Sequence, residues 1–164
     1  MWLARYLLGR VAEDYNISVT YNPKLFEGFA GAGGHVNYST KSMREGEGGM
    51  EHIIEIVRKL SLKHTECLEV YGDNSKRLTG NFETSKKDEF TYGVGNRAAS
   101  VRIPTFTAFH KKGYIEDRRP ASDIDPYLAC AMVLDATLLE ESQISEVLKA
   151  FREWKVWKET EKFE

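Results

Sequence analysis

The chain has 164 residues, 41% of them hydrophobic and 29% charged, with a formal net charge of −2. That is the composition of one globular domain or part of one, with no overall pull toward nucleic acid or an anionic membrane and no apolar run of membrane-spanning length. The charge is unevenly placed, because residues 76–119 hold ten Lys/Arg against five Asp/Glu while both flanks are acidic. A basic centre in an acidic chain points to a small anionic ligand rather than a polyanion.

Residues 2–15 have the spacing of an amphipathic helix, with Leu3, Leu7, Val11 and Tyr15 on one stripe. It starts at Met1 with no capping residue ahead of it, as expected of a chain cut at a helix boundary. Arg5 and Arg10 interrupt it and no small-residue cleavage site follows, so it does not read as a signal peptide. Ile17 to Tyr21 alternates like a strand and is closed by Asn22-Pro23. The glycine-rich run from Gly28 to Gly34 leads into His35–Thr40, a second alternating stretch. A period of two puts His35, Asn37 and Ser39 on one face, a polar wall suited to a ligand.

Met50 to about Tyr71 reads as one long helix, with Ile53, Ile54, Val57 and Leu60 as its buried stripe and Gly72 closing it. Gly72 to Gly95 is polar and aperiodic, a long loop carrying Arg77 and Glu83 and suited to a lid. Asn96 to Pro120 then concentrates Arg97, Arg102, Arg118 and Arg119 beside Glu116 and Asp117, with strands around Val101–Pro104 and Tyr114–Glu116. Planar, bidentate guanidinium groups suit carboxylate or phosphate, so this segment is either an anion site or an ion-pair network on an exposed strand.

Asp125-Pro126 opens a further helix, with Asp as cap and Pro in the first turn, apolar nearly all round and therefore buried. Ser142 to about Lys162 forms a last amphipathic helix striped by Ile144, Val147, Leu148, Phe151, Trp154 and Trp157. The cysteines, Cys67 and Cys130, make no paired motif; reduced thiols and a cytoplasmic location are the expectation.

Four stretches, GAGGHVNYSTKSMRE, RLTGNFETS, GNRAASVRIP and KKGYIEDRRP, in this order and at these separations, resemble glutamine synthetase of the eukaryotic type. The opening ARYLLGRVAEDYNISVTYNPK is similar to it as well, and the resemblance runs from Trp2 to about Leu139. It covers less than half of a full family chain. It implies an α+β fold, the C-terminal portion of the catalytic domain, with a mostly antiparallel sheet packed by helices. Residues 1–140 would be that partial domain and residues 141–164 a divergent C-terminal helix. The small N-terminal domain and most metal-binding glutamates of the family would lie ahead of it, so the chain alone is expected to be inactive.

The resemblance implies ATP-dependent ligation of ammonia to glutamate through a γ-glutamyl phosphate, with Mg²⁺ or Mn²⁺. It also implies a homo-oligomer whose sites are shared between subunits, with no nucleic acid or membrane partner. His35 and Glu116 would be metal ligands. Asn37, Ser39, Arg97, Arg102, Tyr114, Ile115 and Glu116 match nucleotide-contacting positions, the stretch from Tyr114 to Glu116 partly through main chain. Gly31, Arg77, Arg97 and Arg118 match positions that hold glutamate. Glu83 matches the flap glutamate that closes the ammonium site and takes a proton, with Arg97 at the transferring phosphoryl group. Without the motif, His35 is a buried histidine with satisfied nitrogens and Glu83 an exposed loop carboxylate. The sequence departs from the family at Ala30, where Asn is usual, and at Phe82, where His is usual. A non-catalytic relative with a structural or binding role is the alternative.

Overall fold

The computed structural model describes residues 1–138, with Lys149 and Glu153 as single positions beyond them. The helix expected over Ser142–Lys162 lies outside the described residues. Four short strands make one sheet in the order β1-β4-β3-β2: β1 (Val36–Tyr38), β2 (Tyr92–Val94), β3 (Val101–Ile103) and β4 (Ile115–Asp117). The β1–β4 and β4–β3 pairs are antiparallel and the β3–β2 pair is parallel, so the sheet is mostly antiparallel within an α+β fold.

Its two faces follow from strand alternation. Val101, Ile103 and Ile115 point to one side, each at most 2% exposed, and join the core with Val36 and Tyr38 packed against it. Helices α3 (Gly49–Leu62), α4 (His64–Val70) and α6 (Pro126–Leu138) complete that core. Val57, Leu60, Met132 and Val133 are buried among these side chains, an area of apolar burial that drives the packing. The opposite face of the sheet carries the polar residues.

The Asp125 carboxylate accepts from the backbone N–H of Tyr127 at 2.8 Å and of Leu128 at 3.3 Å, the cap the sequence predicts for α6. Gly72, at φ +78°, follows Tyr71, the C-cap of α4, as a left-handed terminator.

Several expectations need correction. The long helix breaks at Lys63 into α3 and α4. Ile56 is buried and Ile54 is 41% exposed, because the buried set 53, 56, 57, 60 follows the i, i+3, i+4, i+7 spacing and position 54 sits off it. Ile17–Tyr21 forms no strand; among the described residues no neighbour offers it a ladder, and Ile17 is 64% exposed. β2 lies inside the predicted loop, and α5 (Thr105–His110) fills the β3–β4 connection.

α1 (Trp2–Asp14) forms as expected, but Leu3, Leu7, Val11 and Tyr15 are exposed and only Ala12 is buried. Arg5 anchors the helix by donating to the carbonyls of Ser122 and Ile124 at 2.7 and 2.9 Å. α6 is not buried all round. Leu134 and Leu138 face out, whereas Thr137 turns in, donating to Val133 O at 2.7 Å and meeting Tyr38 Oη at 2.9 Å.

Candidate functional site

The register of the sheet builds the site. Asn37 lies opposite Glu116, Glu116 opposite Arg102 and Arg102 opposite Gly93. Directly opposed residues share a face, so Asn37, Glu116 and Arg102 form one row across three adjacent strands, pointing away from the core. Glu116 is the centre. Arg102 Nε meets its Oε2 at 2.5 Å, Arg118 Nη1 meets both oxygens at 3.2 Å, and His35 Nδ1 meets Oε1 at 3.1 Å.

The electrostatics follow from that geometry. Burial works against the Glu116 charge, but the Arg118 and Arg102 guanidinium groups outweigh it and hold the carboxyl below its ordinary range. Burial first, and the Arg118 charge second, push the His35 imidazole below 6.5, only partly offset by Glu116. His35 is therefore neutral near pH 7, with a lone pair to offer.

A second tier surrounds this centre. Arg118 Nε donates to Arg97 O at 2.9 Å and Nη2 reaches Glu83 O at 3.5 Å, which brings the loop of Glu83 and the turn of Arg97 together. Glu83 and Arg97 then pair at 3.0 Å in solvent. Phe82 and Glu83 both adopt positive φ, +53° and +59°, a conformation costly for residues with a Cβ and one that gathers at functional sites. Arg77 is buried beneath Arg118. Its Nε donates to Asn74 Oδ1 at 2.8 Å and its Nη2 to the carbonyls of Arg118, Arg119 and Pro120. Burial, then the nearby Arg118 charge, lowers its pKa to about 10. Gly31 packs on Arg77: a Cβ there would lie 2.7 Å from both Arg77 Cγ and Pro23 O.

The structure thus brings together His35, Glu116, Arg102 and Arg118, with Arg77, Gly31, Arg97 and Glu83 adjoining through Arg118. Others stand apart. Ser39 Oγ accepts from Arg44 Nη1 at 2.7 Å, turned toward α2 (Lys41–Arg44). Tyr114 is 42% exposed at the edge of the polar face. Ile115 is fully buried on the core face, so only its main chain is available to a ligand.

Arg119, counted with its neighbours by sequence, belongs to the core. β4 alternation sends Glu116 and Arg118 to the open face and Asp117 and Arg119 inward. Arg119 Nε and Nη2 meet the Asp117 carboxylate at 2.9 and 2.7 Å, and Tyr71 Oη donates to it at 3.0 Å. The Arg119 guanidinium also lies over the rings of Tyr71 and Phe90. Sequence reasoning missed Asn74 entirely; a lone Asn in a polar loop carries no periodic signal, and only its burial to 3% marks it.

His35 and Glu116 are two donors for a cation, and among the described residues no group of three or more His, Cys, Asp or Glu is placed to hold one. Magnesium prefers six ligands, and Arg102 and Arg118 already contact the Glu116 oxygens. The pair fits one edge of a metal site and not a whole one.

Comparison with known proteins points to one family. A family model described as the catalytic domain of glutamine synthetase matches residues 62–142. The glutamine synthetase of Suillus bovinus is 50% identical over 143 residues, covering 86% of this chain and 40% of the relative. The chloroplastic/mitochondrial glutamine synthetase of Arabidopsis thaliana is 50% identical, with 86% of this chain and 33% of the relative covered. Mitochondrial glutamine synthetase 1 of Drosophila melanogaster is 47% identical, covering 86% and 37%. The chain thus spans about 40% or less of these relatives' lengths. A solved structure described as "Apo GmaS without ligand" superposes with a TM-score of 0.63 at 27% identity, covering 88% of this chain and 34% of that one. Relatives named for mitochondria and chloroplasts mean that the resemblance fixes no compartment. Among the described residues no helix is long and apolar enough to cross a membrane.

Proposed function

Because the chain belongs to the glutamine synthetase family, we propose that it carries the arginine and flap portion of a site that joins ammonia to glutamate at the expense of ATP. One observation carries the reading: guanidinium groups from β3 and from the residue after β4 converge on one carboxylate on an open sheet face, above a buried Arg77. Such a cluster is costly as scaffold and suited to phosphate and carboxylate.

The reaction has two steps. The side-chain carboxylate oxygen of glutamate attacks the γ-phosphorus of ATP, and the bond to ADP breaks. Ammonia then attacks the acyl carbon, and phosphate leaves with the C–O bonding pair. Arg102 holds the ATP phosphates, and Arg97 meets the transferring phosphoryl group once its pair with Glu83 opens. Fixed cations there stabilise the charge spread over the phosphoryl oxygens. Arg77 and Arg118 grip glutamate, and Gly31 lets backbone approach it. Glu83 takes the proton that ammonium must lose before its nitrogen can attack. Asn37 and the main chain of Tyr114 to Glu116 lie on the nucleotide side, where the exposed Ser39 belongs too. Bound Mg²⁺ or Mn²⁺, held by His35 and Glu116 together with ligands from elsewhere, supplies further positive charge to the phosphates. A cytoplasmic homo-oligomer with sites shared between subunits belongs to the same proposal.

A non-catalytic relative is the second reading. It is favoured by the saturation of Glu116, whose oxygens are already held by arginines. A γ-glutamyl transfer assay on the longest natural form of the protein, with Mg²⁺ or Mn²⁺, separates the two. The ligase reading expects turnover that disappears in Glu83→Ala; absence of turnover in the intact protein leaves only the second.

A further inference from the structure

Arg77 is 4% exposed, yet among the described residues no carboxylate lies within ion-pair distance of it. Its donors go to an amide oxygen and to three main-chain carbonyls, and Nη1 is left without a partner among the described residues. A buried guanidinium without a counter-charge is expensive, and an incoming carboxylate lowers that cost. Its usefulness depends on aim, because a single free guanidinium nitrogen must point at the incoming oxygen.

Asn74 sets that aim. It is 3% exposed, and its side chain is hydrogen-bonded on both ends. Nδ2 donates to Tyr71 O at 3.1 Å and to Arg119 O at 3.0 Å, while Oδ1 accepts from Arg77 Nε at 2.8 Å. The amide is therefore fixed to the end of α4 and to the segment after β4 before it touches Arg77. The aliphatic stem is hemmed in from the other side by Gly31. Three carbonyls and one amide oxygen consume the Nε and Nη2 edges, so the remaining Nη1 edge is the one presented to a ligand.

We propose that Asn74 is a positioning residue, which orients the Arg77 guanidinium so that its free edge receives a substrate carboxylate. The inference rests on the reading that Arg77 binds a carboxylate, and its test keeps the two apart. Nitrogen-15 NMR of the protein reports the Arg77 Nε–H directly, and L-glutamate is titrated as the probe. In wild type that proton is protected from solvent exchange. In Asn74→Ala it loses protection, and glutamate binding weakens by about tenfold or more, the usual effect of losing a hydrogen bond to a charged group. Unchanged Arg77 Nε–H exchange in Asn74→Ala overturns the positioning role. Lost protection in Asn74→Ala, alongside a wild type that binds no glutamate, upholds the positioning role and removes the carboxylate-binding reading instead.

Asn74→Asp keeps the acceptor for Nε and supplies a counter-charge internally, while giving up the Nδ2 donations to Tyr71 O and Arg119 O. It is expected to retain the protected Nε–H and still bind glutamate at least about tenfold more weakly, an outcome a merely structural residue would not give. Should Asn74→Ala fail to fold, this variant decides alone: glutamate affinity equal to wild type overturns the inference.

Discussion

Replacing Asp117 by Asn removes one charge from the buried pair beneath the site and leaves the other in place. Arg119 and Asp117 are 0% and 1% exposed, and the carboxylate accepts from Arg119 N, Nε and Nη2 and from Tyr71 Oη. Burial opposes the guanidinium charge, and the Asp117 charge with its hydrogen bonds more than offsets it, so the Arg119 pKa is displaced upward. Breaking such a pair from one side costs about 3–5 kcal/mol. That is a large part of the roughly 5–15 kcal/mol that holds a domain together. At about 2–4 °C per kcal/mol for a chain of this size, the melting temperature falls by about 6–20 °C. Urea and thermal melts followed by far-ultraviolet circular dichroism measure it. The double variant Asp117→Leu with Arg119→Met removes both charges and should recover most of the loss. A single-variant loss below about 1 kcal/mol, or a double variant as damaged as the sum of its parts, refutes the account of a paired, desolvated core.

His64 accepts from Arg119 Nη1 at 3.1 Å and donates to Lys87 O at 3.0 Å. Burial, then the Arg119 charge, depresses its pKa below 6.5, so the unfolded chain takes up this proton first. Its contribution to stability is complete above pH 6.5 and declines as pH falls below it; urea midpoints at neutral and mildly acid pH should differ less in His64→Asn than in wild type. Asp135 on α6 is buried with neither carboxylate oxygen hydrogen-bonded among the described residues, and burial raises its pKa. Asp135→Asn should raise the melting temperature at pH 7, and the gain should shrink as acid protonates the wild-type carboxyl; a lower melting temperature at pH 7 contradicts this. Gly31→Ala drives a methyl to 2.7 Å from Pro23 O, a main-chain atom that cannot swing aside. A stability loss of about 1–3 kcal/mol in urea melts is expected.

Periodicity reported what repeats and missed what does not. α1, α3 and α6 were legible because apolar spacing and an Asp-Pro start leave a trace in the letters. The break at Lys63 was not, since helical residues continue on both sides of it. β2 is three residues long and includes Gly93, too short and too weakly β-forming to stand out. Ile17–Tyr21 alternated without a partner strand, and alternation alone does not make a ladder. In the site, the shared face of His35 and Asn37 followed from period-two reasoning, and the choice of Arg102 and Glu116 as site residues from motif order; their direct contact did not, because it depends on the β3–β4 register. The direction of Arg119 could have been read from the same rule, because Glu116 and Arg118 are two apart and Asp117 and Arg119 are two apart. Asn74 could not, since its importance lies in which carbonyls it reaches.

β4 and the two residues after it present an acid and an arginine to each side, Glu116 with Arg118 to the open face and Asp117 with Arg119 to the protein interior. A slip by a single position would exchange those pairs without changing the kind of charge found on either side. The strand's own ionic pattern therefore cannot tell correct from shifted pairing. That discrimination falls to the uncharged positions: Val101, Ile103 and Ile115 are buried on the core side, a shift by one would turn Ile115 out and Glu116 in, and it is they, rather than any arginine, that keep the Glu116 carboxylate on the open face.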